Sequence, residues 1–462
     1  MHPQSKYSLP LLLAIIFLSR IPFIFSGYGS EEDAWGLILT ARNIGATGVY
    51  EVSRLPGHPV QELLLSLIWQ WPAWLLNLLT VLFSTAGIAA FILALKKLLV
   101  QNYLYAGALL AAVPVIYINN TNVMDYTWAL SLTLFSLYAI THKKYVVAGV
   151  LLGLACGFRI TAGAMAIPFA LIIWGQELRF PMLIRFAISI GITAIACYIP
   201  AWMVYGKSFF TYYEYFPYPP FLKNIYKATI GAWGIPGMVA LVTGVWFSLR
   251  KLQQTTSTNL THKYLLGAAA ITILLYTYSF IKIPQKSAFV IPMVPYIILI
   301  FVVLCKETQL KWITMFMILS CFFAGIQLDD KLRGSTPTFA SVPFQIGNTN
   351  VTFDLLQGPV TADDSKRNNK IAYAKQIASE LSEIKKPTVL IAGWWQNEVN
   401  YFRIASPNPN AEVVYYIDEA TINNYQQQGY QLFYLPEQEY YNDLRFQGNF
   451  TKGKALPFPS QE

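Results

Sequence analysis

Residues 30–61 read SEEDAWGLILTARNIGATGVYEVSRLPGHPVQ, and they follow directly on an apolar run from Leu9 to Phe25. Because a helix rises about 1.5 Å per residue, that run is long enough to cross a bilayer. Three consecutive carboxylates, Glu31, Glu32 and Asp33, therefore lie where the chain leaves the membrane. The stretch predicts a membrane protein with an acidic site at the membrane surface.

The composition of the whole chain agrees with a polytopic membrane protein. Of its 462 residues, 55% are hydrophobic and only 12% are charged, and the mean hydropathy is +0.42, which is too apolar for a soluble domain. The net charge is +9, but the cations are dispersed between apolar runs, so we expect no nucleic-acid partner. The four cysteines also lie in apolar runs, and we expect neither a disulfide framework nor a zinc site.

Hydropathy places about eleven spans along the chain. They lie near residues 8–26, 73–95, 103–118, 126–141, 145–158, 161–175, 183–205, 228–249, 264–281, 288–305 and 311–327. Basic pairs follow every second span, as in Lys96–Lys97 and Lys143–Lys144, and such pairs concentrate in cytoplasmic loops. We therefore expect a cytoplasmic N-terminus with an uncleaved first helix, and an acidic triplet and C-terminus on the extracytoplasmic side.

Whether the number of spans is odd or even decides on which side the later loops lie, and this depends on one stretch. Residues 145–175 fit either one long helix or two short ones. A single helix would move the later basic pairs, at Arg250 and Lys306, to the outer side. Since that contradicts the cationic bias of the first half, the charges favour two helices.

The composition turns polar from about Gln327. We expect a transmembrane catalytic domain over residues 1–327, in which the first outer loop, residues 27–72, carries the acidic motif. Residues 328–462 are expected to form a small soluble extracytoplasmic α/β domain. Its periodicity predicts a helix over residues 367–384, strands at 388–392, 412–417 and 430–434, and a polar helix among them.

The first outer loop contains three short motifs, in the order Glu32-Asp33-Ala34, Ala41-Arg42-Asn43 and Gly57-His58-Pro59. In these motifs the loop resembles the first outer loop of the GT-C superfamily of membrane glycosyltransferases. The similarity is to the bacterial transferases that use polyprenyl-phosphate sugars, with a layout like that of protein O-mannosyltransferases and lipid A aminoarabinose transferases. The resemblance implies a GT-C fold of about eleven transmembrane helices in the bacterial inner membrane.

The resemblance implies that the catalytic carboxylate is Asp33 or Glu32. Asp33 keeps the residue type usual at this point, whereas Glu32 stands where many members have Asp, and the choice stays open. A carboxylate suits the chemistry, because a hydroxyl acceptor becomes a better nucleophile when a nearby base accepts its proton. An N-cap of the following helix is the alternative role for these acids, and we expect Glu31 to be a solvated cap.

A polyprenyl phosphate leaves as an anion, so the site needs cations and hydrogen-bond donors instead of a general acid. The resemblance places Lys286 at the lysine of the late outer loop and Arg159 after a Gly-Leu-Ala pattern. The remaining substrate-binding candidates are Arg54, His58, Arg42, Lys282 and Asp125. Structural alternatives stay open for several: an interfacial cation for Arg159, a structural histidine for His58, and an N-cap for Asp125.

The sequence contains no zinc motif and no nucleotide-binding glycine loop. No cofactor is assigned, and a divalent cation on Glu32, Asp33 or Asp125 stays open. The resulting hypothesis is an inverting glycosyltransferase that moves a sugar from a polyprenyl-phosphate donor to the hydroxyl of a glycan, lipid or protein acceptor, in contact with membrane lipid. The main alternative is a transporter or flippase of lipid-linked sugars, and a glycan polymerase or ligase is a third.

Overall fold

The structure is a computed structural model that describes residues 7–177, 180–206, 219–254, 260–328, 334–347, 349–415, 419–435 and 454–455. Its α-helices within these ranges are α1 Ser8–Arg20, α2 Glu32–Thr47, α3 Pro59–Ser66, α4 Ala73–Lys97, α5 Tyr103–Ala112, α6 Pro114–Asn119, α7 Asp125–Thr141, α8 Tyr145–Phe158, α9 Ala166–Glu177, α10 Phe180–Tyr205, α11 Phe221–Ala228, α12 Ile230–Trp233, α13 Ile235–Gln254, α14 Leu260–Lys282, α15 Val294–Leu304, α16 Glu307–Phe322, α17 Pro359–Ser382, α18 Gln396–Arg403 and α19 Glu419–Gln427. The strands are β1 Gly325–Leu328, β2 Ser341–Ile346, β3 Thr349–Asp354, β4 Thr388–Ile391, β5 Ala411–Val414, β6 Gln431–Tyr434 and β7 Lys454–Ala455.

Each of the eleven predicted spans coincides with helical structure. Within the described ranges, five helical segments are long and apolar enough to cross a membrane, namely Ala73–Lys97, Phe180–Tyr205, Ile235–Gln254, His262–Lys282 and Ser287–Leu304. Shorter apolar segments such as Ser8–Phe23 and Tyr145–Phe158 pack beside them. The prediction of a polytopic helical membrane protein is confirmed, whereas the number of full crossings stays a prediction.

Residues 145–175 form two helices, as the loop charges favoured. Helix α8 ends at Phe158, and Arg159 has an extended backbone with φ −155° and ψ 110°. A 3-10 segment, Ile160–Met165, then leads into α9. At this break the side chain of Arg159 reaches Asp125, the first residue of α7.

Two predicted span boundaries were wrong. The span expected over residues 228–249 begins later, because Gly234 adopts a left-handed φ of +67° and separates α12 from α13. The last span ends at Phe322 instead of residue 327, since the chain turns there into β1, which pairs with β3. The predicted domain boundary at residue 327/328 therefore falls inside a strand.

The region from Gly325 onward, called here the C-terminal region, contains two sheets. One is antiparallel with strand order β1-β3-β2, and the other is parallel with order β5-β4-β6-β7. Strands β4, β5 and β6 and helices α17 and α19 match the predicted elements closely, although α17 begins earlier, at Pro359, where a proline suits the first helical turn. Helix α18 and strand β7 were not predicted. The antiparallel sheet was not predicted. In β2 the apolar residues Val342, Phe344 and Ile346 alternate with other residues, but they are exposed, and Pro343 interrupts the strand pattern.

The C-terminal region packs directly on the first loop. Trp35 of α2 contacts the rings of Tyr401 and Phe402 of α18, with centroids 5.2 and 5.4 Å apart. The hydroxyl groups of Tyr28 and Tyr401 lie 2.8 Å apart. Arg367 of α17 is 2% exposed and donates to the backbone oxygens of Ile118 in α6 and of Thr121 just after it. These contacts fix α18 against the N-terminal half of α2.

Candidate active site

The acidic triplet lies at the N-terminus of α2, where the helix dipole favours negative charge. Asp33 forms ion pairs with Arg54 and Lys286. Glu31 occupies the N-cap position, but its side chain makes no capping hydrogen bond and instead pairs with Lys286 at 2.5 Å. The expectation that Glu31 is a solvated cap was therefore wrong, because Lys286 approaches the two acids together.

Arg54 connects this triplet with a second buried acid, Asp125. Asp125 is 2% exposed, and its Oδ1 accepts a hydrogen bond from Arg54 Nη2 at 3.1 Å. Its Oδ2 accepts one from Arg159 Nη1 at 2.7 Å. Asp125 is the first residue of α7 and Met124 is the N-cap, so the carboxylate binds arginines instead of capping the helix.

His58 holds the side chain of Arg54 in place through a hydrogen bond. Arg54 Nε donates to His58 Nε2 at 3.0 Å, and His58 Nδ1 lies 2.5 Å from the backbone oxygen of Phe158. This pattern assigns a neutral ring with its proton on Nδ1. Burial lowers the pKa of His58, which agrees with the neutral form although Asp125 acts in the opposite direction.

Arg159 lies against two neighbouring aromatic rings. Its guanidinium carbon is 4.5 Å from the ring centre of Tyr126 and 4.8 Å from that of Phe289. Cation–π contacts of this kind stabilise a cation in a site with little water. An apolar cavity lined by Ala129, Leu130 and Tyr276, among others, opens beside it.

The neighbouring acids Asp33 and Glu32 differ in electrostatics. Burial alone would raise the pKa of Asp33, but Arg54 and Lys286 overcome it and lower the pKa to about 2. Burial would lower the pKa of Lys286, yet Asp33 and Glu31 raise it above its ordinary value. Burial raises the pKa of Glu32 well above the usual range, and the charge of Asp33 adds to this. Asp33 is thus a stable anion, whereas Glu32 holds its proton to higher pH.

A buried glutamate that the sequence analysis did not single out shapes the loop that carries Arg54. Glu62 of α3 is 0% exposed and accepts hydrogen bonds from Tyr50 at 2.6 Å and from the backbone and hydroxyl of Ser53 at 2.8 and 2.7 Å. These bonds fix the residue before Arg54. Its sequence signal is an acid in the first turn of a helix that begins with Pro59.

The C-terminal region adds three further polar residues beside α2. Lys370 Nζ donates to the backbone oxygen of Ser30 at 2.9 Å and pairs with Glu398 at 2.6 Å. Asn397 Nδ2 donates to the backbone oxygen of Glu32 at 3.3 Å. The sequence alone gave no signal for Lys370 or Glu398, because their proximity to the first loop depends on how the C-terminal region packs.

The structure brings together Asp33, Glu32, Lys286, Arg54, Asp125, Arg159 and His58. It puts two other predicted binding residues elsewhere. Arg42 lies 5.3 Å from the ring of Trp69, and Lys282 is exposed, 5.6 Å from the ring of Tyr278. The aromatic stretch Tyr212–Tyr218 suits sugar stacking or an interfacial belt by its composition, and it lies outside the described residues.

The acids of the cluster face cations of the protein. Asp33 and Asp125 turn their oxygens to arginine and lysine nitrogens. In the part of the chain that the structure describes, no three His, Cys, Asp or Glu side chains form a metal-ligand group. The cations of the cluster can bind an anion when it replaces part of their pairing with Asp33 and Asp125. The carboxyl group of Glu32, whose pKa is raised, lies beside these cations.

Comparison with known proteins gives one informative result. No family model matches the sequence, and no curated protein matches it. Among solved structures, the chain is similar to ArnT from Cupriavidus metallidurans in the apo state, with a TM-score of 0.54 and 10% identity, over 95% of this chain and 94% of that chain. The similarity thus extends over the membrane helices and the C-terminal region together. The fold implied by the first-loop motifs is confirmed: the chain has an ArnT-like GT-C fold.

Proposed function

We propose that this protein is a membrane glycosyltransferase that takes a sugar from a polyprenyl-phosphate donor and transfers it to an acceptor hydroxyl group. The observation that carries the proposal is the meeting of Lys286, Arg54 and Asp33 beside Glu32. One point of the molecule thereby offers cations for a phosphate and a carboxyl group for a proton. The ArnT-like fold and the first-loop motifs support the same function.

The cations serve the leaving group. The acceptor oxygen bonds to the anomeric carbon as the bond from that carbon to the phosphate oxygen breaks, and attack from the face opposite the phosphate inverts the configuration. Lys286, Arg54 and Arg159 then stabilise the negative charge that develops on the polyprenyl phosphate. Before the donor binds, Asp33 and Asp125 neutralise these cations, so the phosphate replaces part of an existing set of ion pairs.

Glu32 is the better candidate for the base, although residue type favoured Asp33. A carboxylate held by two cations with a pKa of about 2 accepts a proton poorly. Glu32 has a raised pKa and is partly exposed, so its ionised form accepts the proton of the acceptor hydroxyl more readily. In this assignment Asp33 holds Lys286 and Arg54 in place between turnovers.

The helix ends give the proposed orientation. Helix α7 runs from Asp125 in the cluster to Thr141, next to the basic pair Lys143–Lys144. Helix α8 begins after that pair and returns to Arg159. The basic pairs therefore mark the end of the helices opposite the cluster. By the positive-inside rule the N-terminus is cytoplasmic, and the site and C-terminal region are extracytoplasmic.

The test uses the full-length protein in lipid nanodiscs with labelled polyprenyl-phosphate mannose, glucose, galactose or arabinose. Envelope glycolipids and proteins from cells that lack the protein serve as acceptors, since they carry unfilled sites. Transfer of label to one acceptor, visible by mass spectrometry, supports the proposal. Movement of the labelled lipid across proteoliposome membranes without transfer would instead identify a flippase.

A further inference from the structure

Two carboxyl groups, those of Glu398 and Glu32, face the boundary between α2 and the C-terminal region, and each has a buried oxygen. Glu398 of α18 is 0% exposed, and only its Oε1 is paired, with Lys370. Glu398 Oε2 and Glu32 Oε2 are both buried and have no hydrogen-bond partner among the described residues. A buried carboxylate oxygen without a donor is costly, so a purely structural ion pair would be expected to satisfy both oxygens.

Backbone oxygens within the acidic triplet and just before it hold Glu398 close to Glu32. Lys370 joins Glu398 to the backbone oxygen of Ser30, 2.9 Å from its Nζ. Asn397, the residue before Glu398, donates to the backbone oxygen of Glu32 at 3.3 Å. Gly36, one turn further along α2, allows this approach, because a Cβ there would lie 2.7 Å from the Asn397 side chain. The contact thus depends on α18 lying directly on the first turns of α2.

Four charged groups from three parts of the chain act on Glu32. Besides burial, the negative charges of Asp33 and Glu398 raise the pKa of Glu32, whereas Lys286 and Lys370 lower it. Asp33 and Lys286 belong to the cluster that the membrane helices form. Glu398 and Lys370 come from the C-terminal region, so half of the charged groups around Glu32 lie outside that cluster.

We propose that Glu398 and Lys370 are positioning residues through which the C-terminal region sets the protonation of Glu32. The proposal rests on the proposed function, in which Glu32 accepts the proton of the acceptor. The negative charge of Glu398 keeps the proton on Glu32 to higher pH and makes its ionised form a stronger base. Lys370 limits this effect by neutralising part of that charge. The C-terminal region therefore packs against the site and also influences the protonation of one of its residues.

An infrared pH titration tests this without any substrate. The carboxylic C=O band of Glu32, identified by its loss in Glu32→Gln, is followed in the full-length protein in nanodiscs. We expect Glu398→Gln to move the midpoint of this band to lower pH by about one unit, and Lys370→Met to move it to higher pH. Matched controls are Glu383→Gln and Lys375→Met, which remove exposed charges from the same region and leave the midpoint unchanged.

Glu398→Asp separates charge from packing, because it keeps the negative charge and is expected to keep the midpoint near that of the wild type. A Glu398→Gln protein with wild-type melting behaviour and an unchanged midpoint would overturn the proposal. Midpoint shifts in the same direction for Glu398→Gln and Lys370→Met would also overturn it. If one of the two variants folds poorly, a shift of the other opposite to the expected direction is enough to overturn it. Failure of the wild type to transfer any sugar would refute the proposed function and leave this titration unaffected.

Discussion

Asp33 and Glu32 follow each other in the sequence, yet they face different parts of the molecule. Asp33 faces the membrane helices, where Arg54 and Lys286 surround it with positive charge. Glu32 faces the C-terminal region, where Glu398 adds negative charge. Successive helix residues point about 100° apart, so one short acidic motif supplies both a counter-ion and a carboxyl group of raised pKa. The difference teaches that neighbouring acids of one residue class take unlike roles when they face unlike surroundings.

The largest effect is expected where the two acids are exchanged for amides. Glu32→Gln removes the proton acceptor, so turnover is expected to fall by about 10²- to 10⁴-fold, and the acidic limb of the pH–rate profile is expected to disappear. Asp33→Asn is expected to lose less turnover and to keep that limb. Glu51→Gln, an acid of the same loop, is the matched control. Loss of the limb in Asp33→Asn and its survival in Glu32→Gln would reverse the two roles.

Among the cations that surround Asp33, Lys286 is expected to contribute to binding of the donor phosphate. Lys286→Met removes a charged hydrogen-bond donor, which costs about 1.5–3 kcal/mol, or a factor of about 10 to 150 in the Kd of the donor lipid. Equilibrium binding of labelled polyprenyl-phosphate sugar measures this. Lys282→Met is the matched control, because Lys282 lies four residues earlier and outside the cluster. Equal binding by the wild type and Lys286→Met would remove Lys286 from the phosphate site.

The lowered pKa of Asp33 gives a third prediction, on the stability of the folded protein. The pKa of Asp33 falls from 3.8 to about 2 on folding, so its ion pairs contribute about 2 kcal/mol at neutral pH. Because the folded pKa is the lower one, this contribution is present above pH 4 and is lost as the pH falls towards 2. The wild type is therefore expected to melt at a higher temperature than Asp33→Asn at pH 6, and the two are expected to converge as the pH falls to 2 and below. A constant difference across this range would contradict the ion-pair assignment.

Much of the membrane side could be predicted from the sequence, because its signals are local. Hydropathy marks the spans, the resemblance marks Asp33 and Lys286, and Arg54 lies between two of the first-loop motifs. Arg159 was a candidate through the Gly-Leu-Ala pattern before it and Asp125 through its place in the resemblance, and the structure brings the two together. Such predictions succeed where a residue lies at the end of a strongly apolar run, since the bilayer itself aligns the ends of the helices.

The side that faces the C-terminal region could not be predicted in the same way. The elements α17, β4, β5 and β6 were recognisable from their patterns, but their packing against α2 was not. Lys370 and Glu398 are separated from Glu32 by more than 300 residues and look like ordinary helix-surface charges in the sequence. Their burial depends on the close approach of α18 to α2, and no local pattern reports such a long-range contact.

The smallest effect is expected for a residue that the sequence motifs suggested and the structure separates from the cluster. Arg42 lies ten residues after Glu32, beyond the second turn of α2, and its guanidinium rests on the ring of Trp69 at 5.3 Å. Arg42→Met is therefore expected to change transfer and donor binding by less than about twofold, as is usual for substitutions away from a site. Arg54→Met is the informative partner, because Arg54 pairs with both Asp33 and Asp125. If the two arginine variants lost activity equally, the donor would have to reach along α2, and the site would extend past the cluster described by these ion pairs.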